Sequence, residues 1–127
     1  MNQKQTLLTG ALLGLLGVAL GAFGAHALKG MLVQNGRFET YELAVRYQFY
    51  HALALLIIGL LMEKFGAANF RWASLLIFVG VLLFSGSLYL FAVTNATAFA
   101  MITPIGGVLL LLGWGWLTYS IISQRKW

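Results

Sequence analysis

Three stretches of this chain carry no formal charge: residues 5–28, 47–62 and 72–124. They constrain the fold more than any other feature, because an apolar run long enough to cross about 30 Å of hydrocarbon is best solvated by lipid. At about 1.5 Å per residue the first run crosses once, as a helix over 6–28. The third exceeds two crossings and is interrupted by the weakly polar Thr94-Asn95-Ala96-Thr97, which predicts spans over 72–93 and 103–123. Thr103 as N-cap and Pro104 at the first helical position start the last span. The middle run is the short one, about 24 Å as a helix, so the span centred on 42–62 extends upstream to about Glu39. Glu39, Glu42 and Arg46 then sit near the headgroups, with Arg46 snorkelling or pairing with Glu42 at i,i+4. The expectation is an all-α, integral-membrane four-helix bundle forming one domain over 1–127.

Composition points the same way. The chain is 61% hydrophobic and 9% charged, against roughly 45–50% and 25% for soluble domains, which excludes a soluble globule. Three Glu and no Asp leave no spare carboxylates for a hydrolase dyad or a calcium site, and the absence of Cys removes disulfides, thiol catalysis and Cys-based metal centres. There is no P-loop, G-x-S-x-G, H-E-x-x-H or Rossmann fingerprint. Lys4, an apolar run and Ala25-His26-Ala27 resemble a signal peptide, but about 19 residues separate Leu7 from Ala25 against an h-region of 7 to 15. Lys4, Lys64, Arg71, Arg125 and Lys126 fall on the side of the termini, and Lys29, Arg37 and Arg46 on the other. By the positive-inside rule both termini are cytoplasmic, and the basic balance reads as topology and attraction to anionic lipid, with no nucleic-acid partner.

In lipid, helices associate by close van der Waals contact, so small residues mark interfaces. Gly10, Gly14, Gly17, Gly21 and Gly24 line one face of the first span at spacings of four and three, which predicts a central helix. Gly80, Ser85, Gly86 and Ser87 in the third span and Gly106, Gly107, Gly113 and Gly115 in the fourth supply further contact faces, leaving the second span without one. Trp72, Trp114, Trp116, Tyr119 and Trp127 suggest an interfacial belt, except that a deeper Trp114 needs a partner for its indole N–H.

The polar residues gather where the first two spans meet on the outer side: His26, then Glu39, Glu42, Arg46 and Tyr50 on one stripe of the second helix, Tyr47 and His51 beside it, and Gln48 opposite. Such a row is a structural clamp, or a pocket for a quinone or a lipid headgroup built from His, Tyr and Arg. Bis-imidazole haem ligation by His26 and His51, zinc binding by these with a Glu, and a proton path through Glu42 have the residue types without specific spacing. No catalytic residue, metal site or cofactor is assigned.

Gly21-Ala-Phe-Gly24-Ala-His26-Ala-Leu28, Tyr41-Glu42, Tyr47-Gln48-Phe-Tyr-His51-Ala-Leu, Phe84-Ser85-Gly86-Ser87-Leu-Tyr89 and Thr103-Pro104-Ile-Gly106-Gly107 together resemble the YgdD/YwdK-like membrane proteins, a family catalogued as a domain of unknown function. The resemblance covers nearly the whole chain. It implies a four-helix protein of the bacterial plasma (inner) membrane and carries no activity. It shifts weight to His26, Glu42, Tyr47, Gln48, His51, Ser85, Ser87, Thr103 and Pro104, with Ser85 and Ser87 as the floor of an outer pocket. The function expected is that of a non-enzymatic accessory, scaffold, or lipid- or quinone-binding protein of an energy-transducing membrane. Its partners are membrane lipids, and copies of itself or a larger complex docked through glycine faces. The rival is an oligomeric proton- or cation-coupled transporter. Reporter fusions test the topology: fusions between Lys64 and Arg71 and at the C-terminus are expected to report cytoplasm, and an external signal from the 64–71 region overturns the orientation.

Overall fold

A computed structural model describes residues 1–125 and 127; Lys126, counted above on the terminal side, lies outside the described residues. In chain order the helices are α1 (Gln3–Ala25), α2 (Lys29–Gln34), α3 (Phe38–Phe65), α4 (Ala67–Thr94), α5 (Thr97–Ala100) and α6 (Thr103–Ile122). The four long ones are apolar enough and long enough to cross a bilayer.

Their boundaries depart from the sequence reading for local reasons. The first helix starts at Gln3, where Asn2 and Gln5 form a reciprocal capping box, and stops at Ala25 because residues 26–28 turn. The second and third run past the expected limits, to 28 residues or about 42 Å each. Gly66 alone separates them. Its φ of +94° lies where only glycine is unstrained, so the chain reverses in one residue and both helices continue into the interface, with Lys64 and Arg71 on helical turns. At the last helix the N-cap is Ile102 and Thr103 is the first helical residue, because the Thr103 hydroxyl is engaged with Ser87 at 2.6 Å.

The long helices pack as a folded row, α1–α3–α4–α6. Helices α3 and α4 are central, and their shared core holds Leu55, Ile58, Phe70, Ile77 and Val81. Helix α1 touches α4 only slightly, and neither α3 nor α1 packs its backbone against α6. The expectation of a central first helix is therefore overturned: four of its five glycines serve one neighbour, α3, and the fifth, Gly14, serves none. A Cβ added at Gly10 would lie 2.9 Å from the Ala52 carbonyl oxygen, at Gly17 2.8 Å from the Phe49 ring, and at Gly24 inside the Tyr41 ring, while Gly21 meets Val45 at 3.4 Å and Gly14 meets nothing within 4 Å. The second span also has a close-contact residue after all, Gly59, which seats Leu7. Across α4–α6, Gly106 rests on the backbone of Leu83 and Phe84 and Gly113 on Ile77, whereas Gly107 stands 3.8 Å from Phe84 and Gly86 is open.

The loop at the end opposite the termini closes the far end of the bundle. Its fully buried Leu32 anchors it beside Tyr41 and Ala92. Asn35 donates to the Ala92 carbonyl at 3.2 Å, and Arg37 donates to Asn95 at 2.9 Å and covers the Phe91 ring. Asn95, in the left-handed region at φ 57°, ends α4, so the Asn35 amide meets carbonyls that the helix cannot satisfy itself, while the Arg37 guanidinium holds the Asn95 side-chain oxygen.

Substitution at two glycines reads this packing. Gly106→Ala forces α6 off the α4 backbone and is expected to cost about 1–3 kcal/mol in a detergent unfolding titration. Gly14→Ala is expected to be neutral or stabilising by up to about 1 kcal/mol. Equal effects at both would contradict the seam assignments.

Candidate intramembrane polar site

Buried positions on α3 include Tyr41, Ala44, Gln48, His51 and Leu55, at spacings of three and four that face the bundle interior. The charged stripe of Glu39, Glu42, Arg46 and Tyr50 points outward, and Gln48, placed opposite it on the helical wheel, is thereby carried inside. In hydrocarbon each of these interior groups needs a protein partner. Gln48 donates to the Leu13 carbonyl at 2.8 Å and accepts from the Tyr89 hydroxyl at 2.6 Å. Tyr41 donates to the Leu20 carbonyl, and Ser85 donates to the Ala44 carbonyl at 2.8 Å. These carbonyls belong to helical backbone and use a second lone pair, which is the one acceptor a helix offers sideways. Among the described residues no buried side-chain nitrogen or oxygen lacks a partner.

His51 lies halfway along α3 and joins it to α6. Its Nδ1 is 2.6 Å from the Tyr47 carbonyl, which can only accept, so Nδ1 carries the proton. Nε2 is then the acceptor, and the Trp114 indole N–H donates to it at 3.1 Å. The partner that a deep Trp114 needs is therefore a neutral histidine, and Trp114 is no belt residue. Since the α3 and α6 backbones do not meet, this bond crosses an open groove of about 470 Å³ between them. Tyr47, Tyr50, Phe84 and Leu110 line it with His51 and Trp114. Tyr47 stacks on His51 and lies 4.6 Å from Phe84 between ring centroids, making an aromatic wall. Among the described residues neither the Tyr47 nor the Tyr50 hydroxyl has a protein hydrogen-bond partner.

The outer cluster expected from sequence does not assemble. His26 is the exposed C-cap of α1, whereas His51 lies thirteen residues below the start of α3, about 20 Å down the helix. The intervening residues 26–37 are taken up by the α1–α3 connection and its short helix α2, which sets that register. The two histidines thus face no common haem or metal, and both His51 nitrogens are already engaged. Among the described residues no three His, Asp or Glu gather. Arg46 approaches Glu39 at 4.0 Å and not Glu42. Glu42 is exposed, so it offers no interior carboxylate for a proton path. Ser85 and Ser87 bond within the bundle, Ser87 to Thr103. The residues that sequence reasoning left out of the site are Tyr41, Tyr89 and Trp114. The first two stand in the quoted motifs, and the third announces itself by an indole in an apolar run.

A double-mutant cycle on His51→Leu and Trp114→Phe is expected to give a coupling of about 0.5–1.5 kcal/mol, the range for hydrogen bonds between membrane helices. Additive effects would remove the bond from the account.

With the geometry in place, comparison with known proteins is informative about family. Residues 20–107 match the model of the family described as "Protein of unknown function (DUF423)". A UPF0382 membrane protein of Staphylococcus aureus is 45% identical over 87% of this chain and 89% of its own length. The UPF0382 membrane protein YwdK of Bacillus subtilis is 40% identical, covering 87% and 90%. The UPF0382 inner membrane protein YgdD of Escherichia coli K12 is 36% identical, covering 99% and 95%. No solved structure matches. Four membrane-length helices, a matching family model and relatives aligned over nearly their whole length make this chain a member of the DUF423 family, a multi-pass protein of the bacterial inner membrane.

Proposed function

We propose that this protein binds a long-tailed amphiphile, a quinone or a lipid, in the α3–α6 groove, and serves an energy-transducing membrane as a non-enzymatic accessory. The observation that carries the reading is the groove itself: about 470 Å³ between two helices that do not pack, opening toward lipid, with aromatic walls and a neutral His–Trp pair at its floor. That volume lies within the range of small-molecule sites. Aromatic rings accept a flat ring, and the two unengaged Tyr hydroxyls offer donors to its carbonyl oxygens or to a lipid ester. A tail can remain in the bilayer, so only the head needs a site.

The chemistry of the groove favours holding over converting. His51 spends one nitrogen on its own backbone and the other on Trp114, so it has no free base for proton abstraction. The three carboxylates lie on the terminal turns of α3. Partners other than lipid follow from the row arrangement, in which α1 and α6 each keep a face turned outward. The Gly10, Gly17 and Gly24 seam is committed to α3, so assembly with a second copy or a larger complex would use the other faces.

Organic extraction of protein purified in mild detergent, followed by mass spectrometry, tests the reading and separates its two ligands. A quinone or one lipid class is expected at near-stoichiometric amount. Gly107→Leu fills the groove, where Phe84 is the nearest neighbour at 3.8 Å, and is expected to abolish retention while the protein stays folded. Extracts with bulk membrane composition from both forms would refute it.

A further inference from the structure

On the opposite flank of α3 a second cleft, of about 210 Å³, opens between α1 and α3 at the outer interface. The α1 side at Gly21, Gly24 and Ala25 lines one wall, and Tyr41, Glu42 and Arg46 of α3 line the other. We infer that this cleft is a headgroup site for a phospholipid carrying both a phosphate and a primary ammonium, with Arg46 on the phosphate and Glu42 on the ammonium.

Depth places the cleft. The uncharged stretch of α3 between Arg46 and Glu63 is shorter than a hydrocarbon core, so Arg46 sits at the boundary where lipid phosphates begin. Charge gives the head. Glu42 and Arg46 are one helical turn apart, their side-chain roots about 5–6 Å from one another, comparable with the two-carbon arm between phosphate and ammonium. They do not neutralise each other. Arg46 turns to Glu39 at 4.0 Å, a contact with both side chains more than half exposed, and Glu42 has no ion-pair partner among the described residues. An exposed pair of this kind is weak and easily exchanged for a phosphate, which accepts bidentate hydrogen bonds from a guanidinium. A lone anion would meet the Glu42 carboxylate and be repelled, and a trimethylated ammonium has no N–H to donate. The cleft therefore selects a zwitterionic head with hydrogens on its nitrogen. This site shares no lining residue with the α3–α6 groove and does not depend on it.

Native mass spectrometry of protein released from nanodiscs tests the inference. The discs contain phosphatidylglycerol mixed equally with phosphatidylethanolamine or with phosphatidylcholine. Wild-type protein is expected to retain phosphatidylethanolamine several-fold above its bulk share and phosphatidylcholine at or below its share. Glu42→Gln is expected to erase that preference, and Arg46→Gln to lower retention of all three lipids, while Gly107→Leu leaves the preference for phosphatidylethanolamine over phosphatidylcholine intact. The comparison of the two zwitterionic lipids uses unaltered protein, so it stands even if a variant misfolds. Retention in bulk proportion, or a preference for phosphatidylglycerol, would overturn the assignment.

Discussion

Hydrocarbon supplies no hydrogen-bond partner, and among the described residues every buried polar side-chain atom of this chain finds one in the protein. The solution is uniform. Gln48, Tyr41 and Ser85 each donate to a carbonyl on a neighbouring helix, and the remaining capacity is closed by Tyr89, Thr103 and Trp114. Each such bond fixes a register between two helices, which glycine contacts alone would leave free to slide. Glycines set how close the helices come; the polar bonds set where along their length they meet.

The order of the row follows from this division. Helix α1 has many glycines but presents them to one partner, and its polar ties, through the Leu13 and Leu20 carbonyls, also lead mainly to α3. On the other side α6 rests closely on α4 through Gly106 and Gly113 and reaches α3 through one indole bond. His51 is already buried, and a tighter bundle would bury Trp114 as well. The open row instead leaves a groove above it, which is what makes a ligand reading physically reasonable for a protein so poor in reactive groups.

Much of the fold was legible in residues whose chemistry is decided by solvent alone. Charge gaps located the four crossings, and small residues located the faces that touch. The helix ends were less legible, because Gly66 reverses the chain in a single residue, and no composition signal distinguishes that from a loop. The site was legible in type but not in place. His26 and His51 were expected together because both border apolar runs, yet the depth of His51 is set by where α3 starts, and that depends on Leu32 and Arg37 fastening the α1–α3 loop to α4. Gln48 was visible as the residue opposite the charged stripe; that the opposite side is the interior became clear only from packing. Tyr89 was passed over because aromatic residues are common in spans, and Trp114 was singled out as a deep indole in need of a partner that nothing in its spacing could name.

The central claim is that interior polar groups are closed on one another, with His51 neutral and fixed between Tyr47 and Trp114. Nitrogen NMR of histidine-labelled protein in lipid addresses this directly, since the chain has only two histidines and the exposed His26 is an internal reference. The account predicts for His51 the Nδ1–H tautomer, with an Nε2 resonance that moves on Trp114→Phe. An Nε2–H tautomer, or a spectrum matching that of His26 and indifferent to Trp114, would contradict it.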